Sequence, residues 1–286
     1  MADNLPSIVG VLGGGRMGAG IAHAFLTSGS EVVVVERDEE SAEAARERVL
    51  RDVSGSVERG KVDGTVADYE ANLTVTTEHS AFAGAGLVIE AVPEDFDLKV
   101  SSLQAVEQHL AEDAYLATNT SSMSVDDLAE TLQRPQNFCG LHFFNPVPAS
   151  KLVEVVIGKQ TSQELKNRTS AWVEGIGKTA VTVNDAPGFA SSRLGVALGL
   201  EAIRMVEEGV ASAQDIDNAM VLGYKYPIGP LALTDIVGLD VRLGIAEYLE
   251  EKLGPRFAPP QLMRDMVARG ELGRKSGKGF YTYTDE

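Results

Sequence analysis

Of 286 residues, 44% are apolar and 23% charged, an ordinary globular balance with enough chain for about two domains and a core that needs no disulfide or metal. Forty-two acidic against 25 basic residues leave a net charge of −17, which speaks against a general nucleic-acid binder or an anionic membrane surface. A phosphorylated small ligand, which needs only a local basic cluster, stays possible.

Segment 7–12 (SIVGVL) is predicted to form a buried strand, running through a glycine-rich turn into a helix from Arg16 to about Thr27. A second strand is expected at 31–36 (EVVVVE) and a long amphipathic helix over 39–60. Apolar runs at 72–77, 86–92 and 114–119 continue the series, with helices at 96–110 and 124–132. Runs 138–144 and 152–158, a helix at 162–177 and a strand at 179–184 complete it. Strands alternating with helices imply an α/β, doubly wound, mostly parallel sheet. The run VVVV suits a sheet covered on both faces.

The turn cluster Asn184-Asp185-Ala186-Pro187-Gly188 marks the boundary between a domain over 1–186 and an all-α domain over 187–286. Helices are expected there at 189–208, 212–222, 230–236, 239–253 and 259–269, and the tail Gly273–Tyr283 is read as docked on the body. The single cysteine, Cys139, rules out an intrachain disulfide and any cysteine-based metal centre, and no metal site is expected. Without a long apolar run or a signal-like start, the chain reads as cytoplasmic, with no membrane and no nucleic-acid partner.

Residues 13–18 (GGGRMG) fit G-x-G-x-x-G between a strand and a helix, the Rossmann-type arrangement. Gly13 permits the tight turn, Gly15 lets backbone approach a pyrophosphate and Gly18 lets the helix pack on the strand. The amides at the helix start, with Arg16 and Met17 in this turn, attract phosphates. Glu36, at the end of the second strand, is placed to accept hydrogen bonds from the adenosine ribose and to repel the extra phosphate of NADP, so the expected cofactor is NAD. Arg37 beside it is the residue that could accommodate a 2′-phosphate.

His23, His79 and His109 read as surface or internally satisfied histidines. His142 ends an apolar strand just before Asn145-Pro146, and ligands bind at strand ends of open α/β sheets. Glu154, inside LVEVV, is a carboxylate among apolar residues and needs a partner. A short connection can bring it beside His142, either as a structural pair or as a base with its orienting carboxylate. The second arrangement suits alcohol oxidation, in which a base takes the hydroxyl proton as hydride leaves. Asn119 and Ser121, in Asn119-Thr120-Ser121-Ser122, either cap the helix near Ser124 or hold a reacting oxygen.

VGVLGGGRMGAGIA, IEAVPED, NTSS, GLHFFNPVP, KLVEVV, DAPGF and GKGFYTY occur in this order over nearly the whole chain. The set resembles the NAD-dependent L-3-hydroxyacyl-CoA dehydrogenases, including bacterial 3-hydroxybutyryl-CoA dehydrogenases. The resemblance implies reversible oxidation of (S)-3-hydroxyacyl-CoA to 3-oxoacyl-CoA, with His142 as general base paired with Glu154. It implies Ser121 on the substrate's C3 oxygen, Asn119 near the nicotinamide end, Glu94 and Lys99 lining the cofactor site, and Glu36 on the ribose. It further implies an acyl-CoA substrate, a homodimer through the helical domain and an active site in the interdomain cleft.

Arg59 and Lys61 then become candidates for the CoA phosphates, Asn145 a substrate-side candidate, and Arg51 is read as part of a solvated helix face. One position departs from the pattern. The family usually carries Asn in GF-x-x-N-R, where this chain has Ser192. The shorter side chain is expected to alter rate or substrate preference rather than abolish activity. Two other readings stay open: a dehydrogenase of a free hydroxy or sugar acid in the same superfamily, and a crystallin-like protein that binds NAD(H) without catalysis.

Overall fold

In the computed structural model, which describes residues 5–284, each predicted strand forms, trimmed by one to three residues where it differs. They are β1 (Ile8–Leu12), β2 (Glu31–Val35), β3 (Leu73–Thr76), β4 (Leu87–Glu90), β5 (Tyr115–Thr118), β6 (Phe138–Phe143), β7 (Leu152–Ile157) and β8 (Thr179–Asn184). They make one sheet in the order β3-β2-β1-β4-β5-β6-β7-β8. Neighbours run parallel from β3 to β6, β7 is antiparallel to β6, and β8 is parallel to β7. The order reverses between β1 and β4, which opens a crevice at the carboxyl ends of these strands. Val9, Val11, Val32 and Val34 are buried in the core of this unit, as a sheet covered on both faces requires.

Helix α1 (Arg16–Leu26) is buried from Gly18 onward. Helix α2 (Glu39–Glu58) starts at Asp38, whose side chain accepts from the Ser41 amide at 2.7 Å, and buries the stripe Ala42, Ala45, Val49, Val53 and Ser56. The short α3 (Val66–Glu70) was not expected from periodicity; a Thr65–Asp68 capping box starts it. Helices α4 (Phe96–Glu107), α5 (Val125–Ala129) and α6 (Gln163–Gly175) follow. Cys139 is buried in β6, where burial pushes its thiol up to about 12 and keeps it protonated.

His23 is buried on α1, with Nε2 2.8 Å from Ser56 Oγ and no hydrogen-bond partner for Nδ1 among the described residues. It is therefore satisfied on one nitrogen only. Burial, and then the positive charges of Lys178, Arg59 and Lys61, lower it from 6.5 to about 4. Between those values the unfolded chain binds a proton that the folded chain refuses. The stability this contributes is present above about pH 6.5 and is lost as the pH falls toward 4. Between pH 7 and pH 5 the loss is about 2 kcal/mol. The variant His23→Gln is expected to lose about that much less than the parent over the same interval, read as urea-unfolding free energy. Equal losses in both proteins would remove His23 from the acid response.

A second unit starts at Ala186. It contains α7 (Ser191–Glu207), α8 (Ala213–Asn218), α9 (Pro230–Val237), α10 (Leu239–Leu253) and α11 (Gln261–Ala268). The helix predicted over 212–222 changes at Ala219 into a π turn, Ala219–Gly223. Val196, Leu200, Ile203, Ile216, Leu231 and Leu249 form its core. The aromatic tail docks on buried carboxylates of this unit: the Phe280 and Tyr281 amides donate to Asp235 at 3.0 and 2.9 Å, and the Tyr281 hydroxyl to Asp217 at 2.8 Å. Among the described residues, no helix is long and apolar enough to cross a membrane, and no group of three metal-ligating side chains occurs.

Candidate active site

The turn after β1 has the form a dinucleotide needs. Gly13 sits at φ +89°, a conformation disfavoured for other residues, and its amide donates to the Val35 carbonyl at 2.8 Å. A Cβ on Gly18 would collide with the Gly13 carbonyl oxygen, so glycine lets α1 approach the turn. At Gly15 the space is open, and α1 has no side-chain cap. Its first amides are left for an incoming anion. Arg16 is exposed at the first helical position, while Met17 packs partly against the core.

Glu36 stands beside this turn, its Oε1 accepting from the Gly14 amide at 2.6 Å and its Oε2 from the Arg37 amide at 3.1 Å. These bonds fix a carboxylate beside the turn at the end of β2. The Arg37 guanidinium pairs with Asp38 at 2.9 Å. The open cradle, the uncapped helix and the fixed carboxylate together fit NAD.

Farther along the sheet, the antiparallel register places His142 directly opposite Glu154. His142 Nδ1 lies 2.9 Å from Glu154 Oε2, with the histidine 6% exposed and the glutamate fully buried. The Phe144 ring tilts against the imidazole, with centroids 4.4 Å apart. Asn119, just past β5, accepts from the Phe143 amide through Oδ1 at 2.9 Å and so ties the ends of β5 and β6 together. The helix-capping alternative for Asn119 and Ser121 falls to a neighbour, because Ser124 caps α5 by accepting from the Asp127 amide at 3.1 Å.

An ionic network, buried at Lys99 and Glu90 and reaching the surface at Glu94, supports the loop between these groups. Lys99, 1% exposed, sits 2.7 Å from Glu90 Oε1 and 3.3 Å from Glu94 Oε2. Glu90 also accepts from the Val92 amide and the Thr118 hydroxyl, both at 2.7 Å. Glu94 accepts from the Thr120 hydroxyl at 2.5 Å and the Ser121 amide at 2.9 Å, with the Ser121 hydroxyl at 3.4 Å. Burial works to raise the Glu94 carboxyl, but Lys99, Thr120 and Ser121 together hold it below the ordinary glutamate value. Glu90 had no assigned role in the sequence reading. Its signal was the one that singled out Glu154, a carboxylate in an apolar run, here at the end of the strand LVIE.

The remaining candidates sit elsewhere. Asn145 is exposed, three positions past His142, in a cis peptide with Pro146. Arg59 and Lys61 are exposed at the end of α2. Ser192 occupies the first turn of α7, in the second unit.

Comparison with known proteins identifies the family. Residues 8–186 match the NAD binding domain of 3-hydroxyacyl-CoA dehydrogenase, and residues 188–283 match its C-terminal domain. The chain is 42% identical over 279 residues to a 3-hydroxybutyryl-CoA dehydrogenase of Mycobacterium tuberculosis H37Rv, covering 96% of this chain and 98% of that one. It is 40% identical over 275 residues to a probable 3-hydroxybutyryl-CoA dehydrogenase of Deinococcus radiodurans, covering 96% and 99%. The crystal structure of the (S)-3-hydroxybutyryl-CoA dehydrogenase of Ralstonia eutropha superposes with a TM-score of 0.93 at 37% identity, covering 98% of this chain and all of that one. With both domains matched and full-length relatives at this identity, the chain belongs to the 3-hydroxyacyl-CoA dehydrogenase family of NAD-binding oxidoreductases.

Proposed function

We propose that the chain interconverts (S)-3-hydroxyacyl-CoA and 3-oxoacyl-CoA with NAD, with 3-hydroxybutyryl-CoA as a substrate and His142 as the acid–base group. The buried His142–Glu154 pair, in the sheet that carries the dinucleotide turn, supports this reading most strongly. Bound NAD supplies the hydride acceptor. Glu154 accepts from Nδ1–H and fixes the tautomer, so that Nε2 takes the substrate's hydroxyl proton in oxidation and returns it in reduction. Asn119, its Oδ1 held by the Phe143 amide, offers its Nδ2 donors, and Ser121 offers its hydroxyl to the C3 oxygen. Glu94 and Lys99 shape the loop at the cofactor site. A homodimer through the helical unit is part of the same reading, supported by exposed Leu194, Leu222, Tyr224, Ile236 and Val241.

The test is NADH oxidation with acetoacetyl-CoA, run beside free acetoacetate and beside NADPH. Turnover confined to the CoA ester with NADH is the expected result. Equal efficiency on the free acid, or no turnover of any 3-oxoacyl-CoA despite NADH binding, would overturn it.

A further inference from the structure

Arg37, next to Glu36, has its backbone and its side chain both engaged. Its amide donates to Glu36 Oε2 at 3.1 Å, and its Nε donates to Asp38 Oδ2 at 2.9 Å. Asp38 in turn is the N-cap of α2, where its Oδ1 accepts from the Ser41 amide at 2.7 Å. One carboxylate therefore serves two donors, a guanidinium with one oxygen and a helix-start amide with the other. Arg37 is the only basic residue between Glu31 and Ala45, and Glu39 and Glu40 follow in the first turn of α2.

In dinucleotide folds an arginine near the ribose-binding acid is the group that accommodates a 2′-phosphate. The fork of donors on a guanidinium fits phosphate and carboxylate alike, so the two compete for it. Here the chain supplies the carboxylate itself, one residue along. The start of α1 is the opposite case, with no side-chain cap and its amides left for an incoming phosphate. The Arg37–Asp38 pair is open to solvent, with side chains 83% and 49% exposed. Such a pair biases an equilibrium by about fivefold or less. A bias of that size bears on a choice between two cofactors that differ by one phosphate.

We propose that Asp38 is a second determinant of the preference for NAD over NADP, acting by keeping the Arg37 guanidinium from a 2′-phosphate. The proposal rests on the reading of Glu36 as the ribose-side acid. It divides the exclusion of NADP between two residues. Glu36 repels the extra phosphate, and Asp38 occupies the one nearby cation that would receive it. Removing Glu36 alone therefore relaxes the preference only in part, because Arg37 stays engaged.

The experiment compares adenosine 2′,5′-bisphosphate with AMP, which differ only in the 2′-phosphate, by displacement of bound NADH read from its fluorescence. The proteins are the parent, Asp38→Asn, Arg37→Gln and the double variant. Asparagine is as good an N-cap as aspartate, so the start of α2 is kept. In Asp38→Asn the affinity for the bisphosphate relative to AMP is expected to rise about fivefold. The ratio of kcat/KM for NADPH over NADH with acetoacetyl-CoA is expected to rise in step. In Asp38→Asn/Arg37→Gln less than half of the rise is expected to remain, because the released guanidinium is gone. Glu36→Ser/Asp38→Asn is expected to exceed Glu36→Ser in the same ratio by about fivefold. An unchanged ratio in Asp38→Asn would overturn the proposal. So would an equal rise in the double variant with Arg37→Gln, which would assign the effect to the charge of Asp38 alone. The fragments take no part in the reaction, so a protein that turns over no thioester would sink the function proposed above and leave this ratio to be read.

Discussion

Replacing His142 with glutamine is expected to lower kcat for acetoacetyl-CoA reduction by about a thousandfold, with NADH affinity unchanged. Glutamine has similar bulk and can still donate to Glu154, so the strand pair keeps its partner and no bare carboxylate is left behind. What disappears is the group that exchanges a proton with the C3 oxygen, and general acid–base catalysis is worth about 10²–10⁴ in rate. Glu154→Gln should fall in the same direction, because an amide that donates to Nδ1 leaves the ring with a single N–H, on Nε2, and giving that proton to the C3 oxygen would leave an anionic imidazole. Steady-state kinetics decides the matter, with thermal melting to show that the variants are folded. A loss below tenfold in His142→Gln would assign the pair to structure alone.

The variant Lys99→Met is expected to destabilise the first unit by about 3–5 kcal/mol, the usual cost of removing one member of a buried ion pair. Lys99 is 1% exposed and faces the fully buried Glu90 at 2.7 Å. Without the ammonium, Glu90 keeps its Val92 and Thr118 donors but loses the positive charge paired with it. The double variant Lys99→Met/Glu90→Gln should recover at least half of the loss, since the charge left behind is then removed too. Urea unfolding of the three proteins reads both effects. A single variant within about 1 kcal/mol of the parent would show that the network contributes little net stability.

How far these features were legible in the sequence depends on how local their cause is. The central strands were readable because their buried runs are mostly apolar, and β8, where threonines alternate with apolar residues and most positions are exposed, kept its predicted bounds of 179–184. Helix α3 and the π turn at Ala219–Gly223 were not readable, because five residues are too few to show a period. The His142–Glu154 contact could be anticipated from two polar residues in two adjacent apolar strands. The partner of Glu90 lies on α4, nine positions on, and strand patterning alone does not point to a helix.

The opposed register of β6 and β7 also governs where this gene can gain or lose codons. Strand side chains alternate between faces, so one inserted or deleted residue inside either strand, between its shared end and the paired residue, would turn His142 or Glu154 to the opposite side of the sheet. The connecting segment 144–151 buries only Val147 and can change length at far lower cost. Descendants of this chain are therefore expected to carry their length differences there, and to inherit the two strands as a single block.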